Sequence, residues 1–252
     1  MTKFVIVASR QDPAGMNICS FISNLPVHYT EKEIIHAENI DKNLDADFII
    51  FASKHQGKTE KMLSLHAPGN WGVAEMGGNE GKICRISGGV MKTIFKELNE
   101  NIPDGWNLTL ECTHHGPYIE KPCCFVEIGS NKDNWENKEA GEKVAKAIES
   151  AVKILQNNKE YKTVIGIGGP HYCPSFNKIQ LNSEYAISHI IPEYALPLTE
   201  EMIKEAIEKT NEKVEIAIVD WKGTGKSEER DKAIDLLNKT GLKYMRASEV
   251  EK

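Results

Sequence analysis

Lys3-Phe4-Val5-Ile6-Val7-Ala8-Ser9 is an apolar, β-branched run that turns polar at Arg10-Gln11 and restarts at Asp12-Pro13-Ala14-Gly15-Met16. The run reads as a strand buried on both faces, because branched side chains suit a pleated surface and no polar face is left for water. Asp12-Pro13 reads as a helix start: the aspartate can cap free amides, and proline needs no amide partner in the first turn. Met16, Cys19, Phe21, Ile22 and Leu25 then give that helix one apolar side. A buried strand followed by an amphipathic helix is the unit from which parallel sheets are built.

The same alternation recurs outward along the chain. Phe48-Ile49-Ile50-Phe51-Ala52 is a second buried strand, and Cys123 to Ile128, Thr163 to Ile167 and Val214 to Val219 are further apolar runs. Asn107 to Thr113 alternates, with Leu108, Leu110 and Cys112 on one face and Thr109, Glu111 and Thr113 on the other. Val90, Met91, Ile94, Phe95 and Leu98 fall at helical spacing after Ser87-Gly88-Gly89. Asp133, with Glu136 three residues on, can cap a long helix bearing Ala140, Val144, Ile148, Ala151 and Leu155. Met202 to Thr210 and Glu228 to Lys239 suggest two more helices. The expected fold is α/β: a mixed, largely parallel sheet flanked by helices, in one domain over residues 1–252. Residues 53–83, rich in Gly, Lys and His, read as a loop-rich insertion or small subdomain, and loops that long tend to be functional.

With 252 residues, 40% of them hydrophobic, the chain can bury a full core. Its mean hydropathy is -0.42 and no stretch approaches the roughly 18 apolar residues of a membrane span. The run Phe4 to Ala8 is too short for a secretory signal, so a cytoplasmic protein is expected, with its six cysteines free or metal-bound. A net charge of -6 offers no global attraction to nucleic acid, so RNA binding would need a local basic patch.

Three apolar strands end in chemistry, and ligands of open α/β sheets gather at the carboxyl ends of strands. The first end is Thr113-His114-His115-Gly116-Pro117, where Gly and Pro force a turn directly after the histidines. Neighbouring residues on an extended strand point to opposite faces, so His114 and His115 are expected to do different jobs unless the turn begins between them. The second is Cys123-Cys124-Phe125-Val126-Glu127-Ile128-Gly129, in which Glu127 needs a partner because an unpaired buried charge costs several kcal/mol. The third is Gly166-Ile167-Gly168-Gly169-Pro170-His171-Tyr172-Cys173-Pro174, where glycines allow close approach and free amides while Pro170 presents His171.

These residues form a hydrolytic kit. Thr113, His114, His115 and His171 are the candidate catalytic groups, and His66, Asn70, Gly168, Gly169 and Lys222 the candidate substrate contacts. Two mechanisms fit. A histidine could activate water directly while glycine amides stabilise the oxyanion. Alternatively, His115, Glu127 and His171 could hold zinc, although no Cys-x-x-Cys or His-Glu-x-x-His spacing is present. Cys173 beside His171 is the best candidate for thiol chemistry. A metal-dependent amidase or peptidase acting on a small substrate would use the same groups.

Ser87-Gly88-Gly89 before a helix is a possible seat for a phosphate or carboxylate. Lys54-His55-Gln56-Gly57-Lys58, Lys61 and Trp71 could hold an RNA end by charge and stacking. Gly223-Thr224-Gly225-Lys226-Ser227 mimics the end of a P-loop, but Asp220 stands where the motif's first glycine belongs. If Lys222 and Lys226 have a role, it is contact with RNA backbone or the substrate pocket.

The motifs together resemble the D-aminoacyl-tRNA deacylases of archaeal type, also found in plants, over almost the whole chain. The resemblance is carried by Ile6-Val7-Ala8-Ser9, Asp12-Pro13-Ala14-Gly15-Met16-Asn17-Ile18, His66 with Pro68-Gly69-Asn70, and the three strand ends, with Asp220-Trp221-Lys222-Gly223. It implies hydrolysis of the ester between a D-amino acid, such as D-tyrosine, and the tRNA 3′ end. It also implies zinc dependence with two ions, a monomer, and a core like that of peptidyl-tRNA hydrolase and phosphorylase-like hydrolases.

Overall fold

Alternation along β1 (Phe4–Ser9) divides its side chains between two cores: Phe4, Ile6 and Ala8 join one, Val5 and Val7 the other. The computed structural model describes residues 1–58, 61–157 and 160–250; Thr59 and Glu60, inside the 53–83 stretch, lie outside the described residues. β1 pairs in parallel with β2 (Val27–Thr30) on one side and β3 (Phe48–Gln56) on the other. β6 (Cys123–Ser130) is parallel to β3, β4 (Met62–His66) antiparallel to β6, and β5 (Asn107–Leu110) parallel to β4. A second sheet, entirely parallel, holds β7 (Lys162–Ile167), β8 (Tyr185–Ile191), β9 (Ile216–Val219) and β10 (Lys243–Arg246) in the order β10-β9-β7-β8. The fold is α/β and largely parallel, with the strands shared between two sheets.

Each sheet contains a point where strand order reverses about a central strand. From β1 the chain passes through α1 (Pro13–Cys19) to β2, then returns to lay β3 on the far side of β1. From β7 it passes through α5 (Pro174–Asn182) to β8, and returns through α6 (Glu200–Glu208) to lay β9 on the far side of β7. Crevices outside the carboxyl ends of strands at such points are where open sheets bind ligands.

The sheets share a core. α2 (Gly88–Asn101) packs against both α4 (Lys138–Leu155) and β8, and its buried Val90, Ile94, Phe95 and Leu98 lie in one cluster with residues of both sheets. Lys92 on α2 is fully buried; its ammonium donates to the carbonyls of Gln180 and Tyr185 at 2.5 and 2.8 Å. Charge-assisted bonds of this kind offset the cost of burying the cation.

Some boundaries differ from expectation. α1 ends at Cys19, and Phe21, Ile22 and Leu25 pack on the core from the turns that follow. The long helix starts at Lys138 and is capped by Asn137, whose side chain accepts from Ala140 N at 2.9 Å; Asp133 lies in the separate short helix α3 (Lys132–Trp135). Asn17 fixes this break by donating to the carbonyls of Trp135 and Asn137 at 2.9 and 2.7 Å. Within 53–83, β3 continues to Gln56 and β4 occupies Met62–His66. α7 (Ser227–Thr240) and α8 (Ala247–Val250) complete the order, and no helix among the described residues is long and apolar enough to cross a membrane.

Candidate active site

The strand ends meet at a seam between the sheets. After β5 the chain runs Glu111-Cys112-Thr113 alongside β8 and the loop after β7. Cys112 N donates to His171 O at 3.0 Å, Thr113 N to Ile190 O at 3.1 Å, and Cys173 N to Leu110 O at 3.0 Å. These bonds carry His171, on one sheet, to the imidazoles and carboxylates of the other. They also account for Thr113. Its hydroxyl accepts from Ile190 N at 3.1 Å and lies 3.1 Å from Nδ1 of buried His189, so it fastens the seam.

At the β1/β3 reversal a cavity of about 280 Å³ opens, lined by Ser9, Asp12, Ser53, Lys54, His55, His114, His115, Glu127 and His171 among others. Register supplies its polar wall. Ser53 and Ser64 flank Glu127 across the ladder, and His66 lies opposite Phe125. The face that is apolar at Phe51 and Phe125 thus becomes polar toward the carboxyl ends of β3 and β6.

Glu111 is the hub. Its Oε2 lies 3.0 Å from His171 Nε2 and 3.4 Å from His114 Nε2, and its Oε1 lies 3.1 Å from His55 Nδ1. Burial disfavours the Glu111 charge, but His171 and His55 hold its carboxyl well below the usual range. Burial likewise opposes charge on His55, yet Glu111 and Glu127 carry it up to about 11. For His171, the Cys112 and Glu111 contacts overcome burial and bring it up to about 10. His114 and His115 go the other way. Burial and the neighbouring His66 push His114 well down and His115 to about 4, so both are neutral.

Their tautomers follow from their partners. Nδ1 of His66, His114 and His115 faces the carbonyls of Ala67, Cys112 and Gly116 at 3.2, 2.8 and 2.6 Å. A carbonyl can only accept, so each Nδ1 carries a proton, and in the neutral rings of His114 and His115 Nε2 keeps its lone pair. The Nε2 atoms are therefore bases or metal ligands, held as ligating histidines are held elsewhere. His115 has φ +44°, so the turn begins at the second histidine, and the two rings lie 4.3 Å apart. The stated exception to divergence, a turn beginning between the two histidines, is the case found: the left-handed turn rotates the strand alternation away.

Ligand atoms of four overlapping trios each lie within 4.8 Å of one another: His66-His114-His115, Cys112-His114-His171, His55-Glu111-His171 and His66-Glu111-Glu127. His66 Nε2 is buried without a hydrogen-bond partner. A divalent cation would satisfy that atom, so the donor set fits a metal of the imidazole-carboxylate class.

A model of the D-aminoacyl-tRNA deacylase family matches residues 42–245. The chain belongs to that family. It is 38% identical to the D-aminoacyl-tRNA deacylase of Pyrococcus abyssi, covering 96% of this chain and 99% of that one. Against the enzyme of that name from Pyrococcus furiosus it is 37% identical over 86% and 82% of the two chains. The Methanocaldococcus jannaschii deacylase is 32% identical over 97% and 99%. A crystal structure described as a conserved protein of unknown function superposes with a TM-score of 0.91, at 28% identity over 99% of this chain and 97% of that one.

In this deacylase-family chain, His114, His115, Glu127 and His171 all line the cavity, and His66 closes the wall beneath it. Expected ligands His115, Glu127 and His171 are distributed among different trios. Three other expectations are corrected. Gly168 and Gly169 adopt φ +87°, but their amides donate to Ile191 O and Gly223 O at 2.8 and 2.7 Å and are not free for an oxyanion. Asn70 ties its own loop through Gly77 O at 2.9 Å. Of the two roles read for Lys222, the substrate cavity does not hold it, and it lines a second crevice instead. Cys173 is buried and its thiol is pushed well up by burial, which opposes nucleophilic chemistry.

The anion seat at Ser87-Gly88-Gly89 is filled from within. Glu212 accepts from Ser87 Oγ at 2.5 Å and from the amides of Gly88 and Gly89 at 3.0 Å each. Trp71 is anchored through Nε1 to Ile190 O at 3.1 Å. The P-loop resemblance dissolves, since Asp220 accepts from Gly223 N at 3.2 Å and Ser175 Oγ at 2.8 Å. Sequence reasoning missed Glu111 and His55 as site residues. The parity of Glu111 with Thr113, and of His55 with Ser53 and Phe51, was the available signal.

Proposed function

We propose that this chain hydrolyses the ester joining a D-amino acid, such as D-tyrosine, to the 3′ end of tRNA, acting as a cytoplasmic monomer. One observation carries the reading: in a member of this family, three imidazoles gathered on a buried carboxylate hub line a switch-point cavity.

Two zinc ions would be held by the His66-His114-His115 trio and the His55-Glu111-His171 trio, which share no residue. Bound zinc supplies Lewis acidity toward the ester carbonyl and acidifies water. Ligation needs neutral imidazoles, so loading would release the protons that Glu111 otherwise holds on His55 and His171. Tyr172 steadies that second trio, its hydroxyl 2.8 Å from His55 Nε2.

The chain's own groups then handle the protons. Glu127 lines the cavity 3.5 Å from His55 and 3.8 Å from His66, placed to accept the proton of the attacking water. The water oxygen bonds to the ester carbon, the carbon–ribose oxygen bond breaks, and the same proton returns to the departing ribose oxygen. Asp12 shapes the entrance: it caps α1 through Gly15 N and holds Lys54 N and Ser53 Oγ at 2.9 and 3.1 Å. Chirality is a matter of cavity shape, the L-isomer being excluded sterically. Turnover of D-tyrosyl-tRNA and L-tyrosyl-tRNA, measured beside a free D-tyrosyl ester and a peptide, tests the reading. Selective release of D-tyrosine from tRNA is expected; a peptide turned over while the tRNA ester stays intact would sink it.

A further inference from the structure

The second reversal of strand order, between β7 and β9, has its own crevice of about 360 Å³, lined by Ser175, Lys178, Trp221, Lys222, Arg246 and Ser248, with Asp220 at its base. α5 and α6 pack on opposite faces of this sheet, as the reversal requires. The electrostatics differ from those of the cavity. Lys178, Lys222 and Arg246 are exposed. The Asp220 carboxylate is turned inward onto Ser175 Oγ and Gly223 N. Arg246 Nε lies 3.9 Å from the Glu249 carboxylate on the surface, where such pairs are weak, and the Arg246 backbone amide donates to the same carboxylate at 3.0 Å. The Arg246 guanidinium lies 3.7 Å over the Trp221 ring, with Arg230 4.6 Å from the same ring. Stacking holds its donors in a fixed plane, which suits an oxyanion such as a phosphate.

We infer that this crevice grips the phosphodiester backbone of RNA, namely the tRNA whose aminoacyl end enters the cavity. This rests on the deacylase reading. The two sites are joined by a short piece of chain: Ser175 follows His171 by four residues, so they lie within about 14 Å. That is about four nucleotides of a stacked strand at roughly 3.4 Å rise. Charge complementarity favours RNA over an acidic peptide, because the cations line a crevice at a carboxyl strand edge with stacked arginine rather than an apolar groove. It also answers the net charge of -6, since a local patch suffices where the whole protein repels.

The test uses the full chain and an uncharged tRNA transcript, with affinity followed by anisotropy across a salt series. Lys178→Ala with Lys222→Ala, which leaves the Arg246–Trp221 stack intact, is expected to weaken binding about tenfold and lower the slope of log affinity against log salt by about 2. Adding Arg246→Gln is expected to weaken it further, whereas Lys146→Glu with Lys153→Glu on α4 should leave it unchanged. Unchanged affinity in the crevice variants, an equal loss in the α4 control, or no tRNA binding by the unaltered chain would each overturn the proposal. Saturable binding of adenosine monophosphate that the crevice variants abolish, with tRNA affinity intact, would overturn it in favour of a nucleotide site. Binding needs no turnover. Tight tRNA binding at the crevice without hydrolysis of any D-aminoacyl ester would instead defeat the deacylase reading.

Discussion

The two reversals of strand order are alike in topology and opposite in chemistry. At β1/β3 the crevice is walled by Glu127 and imidazoles, with buried Glu111 paired to His55 and His171 behind them; at β7/β9 it is rimmed by exposed Lys178, Lys222 and Arg246 around Trp221. Parallel packing creates a crevice at each, but burial decides its use. Ionisable groups taken out of water shift one another strongly and can do bond-breaking work, while exposed cations attract without reacting. The difference teaches that topology locates sites and desolvation assigns their roles.

The comparison can be broken most severely at its hub. Glu111→Gln removes the charge shared by His55 and His171. It is expected to cut kcat/KM for D-aminoacyl-tRNA by about 10²–10⁴-fold with tRNA affinity kept. If affinity fell as far as rate, the two crevices would be one functional site. Stripping metal with a chelator should produce a loss of similar order that zinc restores, with elemental analysis reading the stoichiometry. Full activity in demonstrably zinc-free protein would reject the metal assignment and leave the deacylase reading standing.

Smaller effects probe the seam that holds the two crevices in register. Burial pushes the His189 imidazole down to about 3, so the folded chain keeps it neutral while the unfolded chain takes up a proton near the ordinary value of 6.5. Its contribution is therefore fully present above pH 6.5 and is lost as pH falls toward 3. At pH 5 this one group lowers stability by about 2 kcal/mol. Denaturant titrations at pH 8 and pH 5 should show the loss shrink in His189→Gln; an identical pH dependence would remove His189 from the account. Smallest is the clamp on α2. Glu212→Ala leaves the Gly88 and Gly89 amides without their carboxylate and should reduce stability by about 1 kcal/mol, read as a lower Tm, with kcat/KM unchanged.

Much of the frame was legible because it is local. The apolar run of β1, the Asp12-Pro13 start of α1 and the periodic face of α2 each declare themselves within a few residues. What escaped depended on register. Glu111 looks like any polar residue on an alternating strand until Cys112 and Thr113 pair with the second sheet and bury it. His55 reads as part of a basic loop until β3 runs on beside β6, with His55 opposite Gly129. β8 was hidden because Ser188 and His189 interrupt its apolar pattern, and both are buried beside polar partners from Val164, Thr210 and Thr113. The anion seat was read correctly as chemistry, but its occupant, Glu212, lies more than a hundred residues away.

The seam through Cys112, Thr113, His171 and Ile190 has a consequence for when activity can arise. His55, His66 and Glu127 come from one sheet, His171 from the other, and Glu111 from the segment stitched between them. A chain with only the first sheet in place owns Glu127 beside His55 and His66 but lacks both His171 and the Glu111 carboxylate that joins it to them. Hydrolytic competence thus works as a proof of completed assembly: nascent or half-unfolded molecules, which could not tell a D-aminoacyl ester from a correct one, have no means to cut either.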